Sequence, residues 1–363
     1  MKTKYYLLLF VGSLFAFSLM SACNNDDYDE EFEDHGNPSE NIEVKLSSPT
    51  SIVLNDVQVT TWMYQLQNLF EDEAVEALDD TNYDMLVVEP GYNFSEYPYD
   101  VENLVEILKF KPNGDERILL AYIDIGQAED YRNYWQEDWI APTANSYGDP
   151  GFLITIDPDG WSGNYPVAYW DGDWQAIWLE ENGIIHQLAQ FGFDGIYLDW
   201  VEAYDDEKVR EVAQLDGLNP ELEMIYFIDA LGEAGKVVKS DFLVVPQNAP
   251  YLLDEDTDYY TSIIDAVAFE DTWFYGEGDA EWDDRKAGDL EGGERHSEGY
   301  TTEDRIKQAQ KYLAAGIPVF TIDYCIDEEN AEAVYQYSRK LGFIPLVTRV
   351  SLSDITETPP FDK

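Results

Sequence analysis

The sequence predicts a single-domain α/β protein, a (β/α)8 TIM barrel, and three observations point there. Eight apolar, β-rich runs alternate with helical patterns between residues 59 and 348. The first run leads into "YQLQNLFED", which has no glycine, whereas an open doubly wound sheet normally carries a Gly-rich phosphate turn at that point. Two insertions, 139–173 and 272–300, both follow strands, on the face where barrels build their sites.

Taken in order, the chain opens with "MKTKYYLLLFVGSLFAFSLMSAC". Lys2 and Lys4 precede an apolar run from Tyr5 to Phe17, too short to cross a bilayer comfortably, so residues 1–22 read as a secretory signal. The "LMSAC" ending resembles a bacterial lipobox, which implies cleavage before Cys23, lipidation of its sulfur, and a lipoprotein of the outer membrane or cell surface. Residues 23–54 continue past Cys23 with "NNDDYDEEFEDHGNPSE", too acidic and too poor in apolar groups to fold, and read as a tether.

The barrel is assigned to residues 55–350 and a tail to 351–363. Its strands are "VTTWMYQLQ" (59–67), "YDMLVVEP" (83–90), "RILLAYIDIG" (117–126), "GIYLDW" (195–200), "FLVVPQN" (242–248), "AVAFED" (266–271), "IPVFTIDY" (317–324) and "GFIPLVT" (342–348). Short continuous apolar runs of this kind suit strands buried on both faces. Helical patterns fall at 71–80, 101–110, 128–138, 174–191, 207–215, 221–239, 251–262, 302–315 and 328–340. The clearest, "TTEDRIKQAQKYLAAG", opens on Thr301 or Thr302 as a cap and stops at Gly316.

Composition narrows the chemistry. Two cysteines and three histidines leave little for Cys/His zinc sites or Ser-His-Asp triads. Cys325 lies in an apolar run, where a buried thiol is the default. The formal charge of -54 makes nucleic acid and anionic membranes poor partners, while a cationic polymer would be attracted; solubility alone would also explain it. With 10 Trp and 26 Tyr the chain can furnish both sugar-stacking surfaces and a well-filled core.

Hydrolytic chemistry here must therefore run on carboxylates. In a barrel the strand ends project into the mouth, and the polar residues placed there are Gln65, Gln67, Glu89, Asp124, Asp199, Glu202, Gln247, Asn248, Glu270, Asp271, Asp323 and Tyr324. Any one acid is more commonly a helix cap or a solvated loop group. Several at corresponding strand ends can supply the two opposed carboxylates of a glycosidase, with no metal or other cofactor required. "DPDGWSGN" (157–164) and "DEDTDYY" (254–260) lack the ligand spacing of a calcium loop and read as turns or caps.

Four ordered blocks, "WMYQLQN", "LLAYIDIGQAEDYRNYW", "YPVAYWDGDWQAIW" and "FGFDGIYLDWVEAYDD", resemble the glycoside hydrolase 114 type of barrel, described as endo-α-1,4-polygalactosaminidases. The resemblance runs from Val59 to Val347. It implies a catalytic Asp ending strand 4 and a catalytic Glu ending strand 6, which fall on Asp199 and Glu270. Asp199 is taken as nucleophile and Glu270 as acid/base, because "AVAFE" gives the latter the apolar approach that raises a carboxyl pKa.

Substrate contacts are expected from Gln65, Glu89, Asp124, Gln127, Glu202, Gln247 and Asp323, with Tyr64, Trp170, Trp200 and Trp273 as stacking platforms. One departure stands out. The third block usually reads Gly-Glu-Ala-Glu, and here Gln127 replaces the first carboxylate. The function expected is retaining, endo-acting cleavage of an amino-sugar polysaccharide. The alternatives are a glycosidase for a neutral or N-acetylated glycan, and a non-catalytic glycan-binding lipoprotein. The membrane is expected to be met through the lipid anchor only.

Overall fold

The computed structural model describes residues 51–69, 71–91, 101–292 and 299–356. The expected signal segment, the lipidation site at Cys23 and all but the end of the tether lie outside the described residues. No helix among the described residues is long and apolar enough to cross a membrane.

All eight expected strands are present and parallel: β1 (Trp62–Gln65), β2 (Met85–Val88), β3 (Ile118–Asp124), β4 (Gly195–Asp199), β5 (Leu243–Pro246), β6 (Val267–Glu270), β7 (Val319–Tyr324) and β8 (Ile344–Thr348). Nearly every one of these side chains is buried, which explains the unbroken apolar runs. Main-chain ladders join β1 through β5 in order, and β6 through β8.

The two seams between these sheets are closed differently. At the first, Gln247 forms a single parallel bridge to Ala268, and the Asn248 N–H donates to the Ala268 carbonyl at 2.9 Å. At the second, the Trp62 indole N–H donates to the Ile344 carbonyl (3.1 Å). The Leu66 and Gln67 N–H groups there both donate to the Leu352 carbonyl at 3.0 and 3.1 Å. Pro246 and Pro345, which lack an N–H to donate, stand in strands bordering these seams. Residues 351–356, assigned above to a tail, thus lie against the barrel, with Leu352 buried.

Around the strands run α1 (Asp72–Asp79), α2 (Val101–Leu108), α3 (Gly172–Leu179), α4 (Ile184–Phe191), α5 (Glu207–Asp216), α6 (Pro220–Val238), α7 (Leu252–Glu255), α8 (Thr257–Ile263), α9 (Thr302–Ala314) and α10 (Glu328–Leu341). Their ends follow local chemistry. Thr301 and Asp304 form a capping box at α9, Asp327 caps α10, and Asn219 with Pro220 starts α6. No basic residue lies in the last turn of α1, and buried Arg117 supplies the missing donors from the start of β3. It reaches the Leu78, Asp79 and Thr81 carbonyls at 3.0–3.2 Å.

Two expectations are corrected. Residues 128–138 are not a helix: Gln127–Glu129 pairs antiparallel with Asn164–Pro166, and the chain then turns. The aromatic spacing that mimics a helix serves packing instead, with Trp135 against Trp139 and Tyr165 at ring separations of 5.2 and 5.4 Å. The pattern at 174–191 is two helices, α3 and α4, parted at Glu180–Gly183. The chain also pairs earlier than expected, since Ile52–Leu54 forms a hairpin with Val57–Val59 and buries Leu54 and Val59.

Candidate active site

Aromatic rings fill the barrel interior below the mouth. Tyr64 packs against Trp62, Tyr122 and Tyr197, with ring centroids 5.2–6.4 Å apart. It is a floor for the site rather than an open platform, being 2% exposed. Above this floor the strand ends bring carboxylates together where water is scarce, so each tends to keep its proton.

Asp199 ends β4. Its Oδ2 accepts from the Tyr122 hydroxyl at 2.6 Å and its Oδ1 from the Trp200 N–H at 2.8 Å. Burial raises its pKa, and these two donors oppose the rise. The turn depends on close approach: a Cβ on Gly126 would sit 2.1 Å from the Trp200 carbonyl oxygen. Trp200 itself has φ +54°, and Asn248 and Asp271, the residues beyond β5 and β6, have φ +54° and +53°. Three successive strands therefore leave the barrel through the left-handed region that non-glycine residues seldom adopt, the kind of strain that accumulates at functional sites.

Glu270 ends β6. Its Oε2 accepts from the Gln247 and Asn248 amides and its Oε1 from the Tyr324 hydroxyl. Asn248 also accepts from the Glu270 N–H at 2.9 Å, and Arg305 donates to the Glu270 carbonyl at 2.7 Å, so backbone and side chain are both held. Burial first, then the charges of Asp199 and Asp271, push Glu270 up to about 8, against the pull of Tyr324 and Asn248. Burial first, and then the charges of both Asp199 and Glu270, raise the hydroxyls of Tyr64 and Tyr197 beneath them. Glu202 joins them: its pKa is raised well above normal by burial and then by Asp199, and its Oε2 is buried without a partner.

The other expected residues divide. Asp124 is paired in register with Asp199, and its Oδ1 accepts from the Gly126 and Gln127 N–H groups at 3.1 and 2.8 Å; burial and the charges of Glu129 and Asp199 raise its pKa. Gln247 touches Glu270 directly, and its Oε1 is buried without a partner. Gln65 donates to the Gln67 and Ser353 carbonyls at 3.2 and 3.3 Å. Glu89 takes both terminal nitrogens of Arg132 at 2.9 and 3.0 Å.

Gln127 donates to Asp157 at 2.6 Å and accepts from Asn164 at 3.0 Å. Asp323 accepts from the Trp273 and Phe274 N–H groups at 2.5 and 3.0 Å and is pushed up to about 7 by burial. The structure does not bring the stacking candidates together. Trp200 is half-buried beside Asp199, while Trp170 donates to Asp216 (3.0 Å) and Trp273 to Ser338 of α10 (2.9 Å).

Several site residues escaped the sequence reading. Tyr122, two residues before Asp124, lies on the same side of its strand, but a tyrosine in an apolar run reads as core. Asn248 and Tyr324 were legible only as strand-end polar groups. Glu129 and Arg132 gave no sign of their pairing. Among the described residues no group of three or more Asp, Glu, His or Cys side chains converges so as to hold a metal ion.

The model of glycoside-hydrolase family GH114 matches residues 46–360. An uncharacterised protein of Deinococcus radiodurans is 30% identical over 244 residues, covering 67% of this chain and 68% of that protein. One from Thermotoga maritima is 28% identical over 302 residues, covering 80% and 81%. Among solved structures, Aspergillus fumigatus Ega3 in complex with galactosamine superposes with a TM-score of 0.53 at 13% identity, over 81% of this chain and 93% of that one. A variant of the glycoside hydrolase domain of PelA from Pseudomonas aeruginosa gives 0.52 at 17% identity, over 82% and 99%. These structural likenesses show the fold.

Proposed function

The chain belongs to glycoside-hydrolase family GH114, and from that premise we propose that it is a retaining endo-glycosidase for a galactosamine-containing polysaccharide, working through Asp199 and Glu270. The carrying observation is the pair itself: two half-buried carboxyls at the ends of β4 and β6, within each other's electrostatic reach, meeting only uncharged donors among the described residues.

Glu270 at about 8 is protonated at neutral pH and gives its proton to the departing glycosidic oxygen. Asp199, whose charge is supported by Tyr122 and the Trp200 N–H, attacks the anomeric carbon as the bond to that oxygen breaks, forming a glycosyl ester. Glu270, now ionised, takes a proton from water, which attacks the anomeric carbon and releases Asp199. Gln247 suits a neighbour that alternates between forms. A glutamine amide can present NH2 to the carboxylate or its carbonyl, here without a partner, to the acid. The formal charge of -54 and the uncompensated acids at the mouth favour a polymer bearing protonated amines.

Incubation with partially deacetylated α-1,4-galactosaminoglycan, with chitosan and neutral glucans as controls, tests the reading. Release of internal fragments whose new anomeric centre keeps its configuration supports it. Cleavage of neutral glucans alone would assign another substrate, and no cleavage of any would remove the glycosidase. We further propose attachment to the cell surface through lipidated Cys23; metabolic labelling with a fatty acid, lost in Cys23→Ala, checks it.

A further inference from the structure

Trp161 lies in the insertion after β3 and is 55% exposed, yet its turn is rigidly made. Asp157, 5% exposed, accepts from the Trp161 N–H at 2.8 Å with one oxygen and from buried Gln127 at 2.6 Å with the other. Asn164 closes the turn onto Gln127 at 3.0 Å, and Gly160 and Gly163 supply φ of +94° and +96°. This network holds the backbone that carries the exposed indole.

The indole reaches the insertion after β6. A Cβ on Gly278 would come within 2.7 Å of its Cζ2. That second insertion is fastened over β7 and β8: Asp289 N–H donates to the Tyr324 carbonyl at 2.9 Å, Val350 N–H to the Ala287 carbonyl at 3.0 Å, and the Arg349 guanidinium lies 4.9 Å from the Trp282 ring. The Trp161–Gly278 contact thus joins the loop after β3 to the loop after β6, both on the strand-end face of the barrel that carries Asp199 and Glu270.

We propose that Trp161 is a sugar-stacking platform at this contact, binding a protonated amino-pyranose unit of the polymer beyond the bond being cut. The inference rests on the glycosidase reading for its ligand and deepens it. A tryptophan face attracts both the C–H face of a pyranose and an ammonium group, and acids stand near the two sides of the contact, Asp130 beside Gly163 and Asp279 next to Gly278, while Glu277 is neutralised by Lys286 at 2.7 Å. Gln127 then has a reason to depart from the usual glutamate. A carboxylate there could not donate to Asp157 and would repel it at 2.6 Å.

Affinity electrophoresis of the non-cleaving Asp199→Asn protein in gels containing deacetylated α-1,4-galactosamine polymer reads binding directly. Adding Trp161→Ala is expected to weaken it about tenfold, with Trp161→Phe recovering most of the loss and Trp161→Leu little. Gln127→Glu, which leaves the indole but loosens its turn, should reproduce part of the defect and carries the test if Trp161→Ala folds poorly. In the cleaving enzyme the loss should appear in KM and grow with oligomer length. Retardation equal to the parent's in both the Trp161→Ala and Gln127→Glu proteins, or a defect equal at every length and unrelieved by phenylalanine, overturns the platform. Absence of any retardation of the parent overturns it as well. Cleavage by the wild-type chain is scored separately, so retardation without cleavage counts against the glycosidase and not against Trp161.

Discussion

Two groups of carboxylates, half-buried or buried, crowd the same rim of the barrel and differ in one respect. Glu89 and Glu129 share Arg132, bound through both terminal nitrogens on one side and through Nε at 2.7 Å on the other. Asp199 and Glu270 have no ion pair among the described residues; tyrosine hydroxyls, amides and a backbone N–H are their partners. Burial pushes both Glu89 and Glu270 toward the protonated form, but of the two only Glu89 has a side-chain ion pair to oppose it. One cluster is clamped by a shared guanidinium, the other is left able to exchange a proton.

The sharpest way to break the contrast is Asp199→Asn. Hydrolysis should fall about 10³-fold or more, since an amide cannot attack the anomeric carbon, while the melting temperature holds or rises because an uncompensated buried charge has gone. Turnover near wild type would remove Asp199 from catalysis. Arg132→Ala attacks the other cluster and should cost stability instead. Stranding Glu89 and Glu129 is worth about 3–5 kcal/mol, read by denaturant unfolding, and a loss below about 1 kcal/mol would mean that water compensates them.

Glu270→Gln is expected to lower turnover about 10²-fold on natural glycan and less on substrates with an activated leaving group. It should also abolish the alkaline limb near pH 8 that loss of the Glu270 proton imposes. The sign for stability is the reverse of a salt-bridged acid. Glu270 holds its proton in the folded chain up to about 8 but only to 4.5 when unfolded, so stability falls as pH rises across that window, and Glu270→Gln should flatten the fall. Smallest is Tyr122→Phe, expected to cost about tenfold in kcat and to move the acid limb upward, because Asp199 loses a donor to its charged form.

The strands were legible because parallel strands covered on both faces must be apolar throughout, and the catalytic candidates because strand ends define the mouth. What was illegible depended on contacts distant in sequence. The spacing of Tyr131, Tyr134 and Trp135 matches a helix, yet Tyr134 packs on Trp174 and Trp178 of α3 and Trp135 on Trp139 and Tyr165. Leu352 is one of two apolar residues in "SLSDIT", and its carbonyl, the group that receives Leu66 and Gln67, has no side-chain signature. Arg132 meets Glu89 only once two strand-to-helix loops are adjacent. Tyr122 looks like core until the acid beside it is placed, and Tyr324 shows as a strand-end polar group without its partner Glu270.

The seam between β8 and β1 has a consequence for the order in which the molecule forms. The first strand finds its last partners in Ile344, Leu352 and Ser353, some of the longest sequence separations the chain makes. Closure therefore waits for synthesis to reach those residues, and a nascent chain stopped before them would expose the flank of β1 with the Leu66 and Gln67 amides unmet. The ring should be among the slow-forming parts of the protein, and its completion a late, all-or-none event.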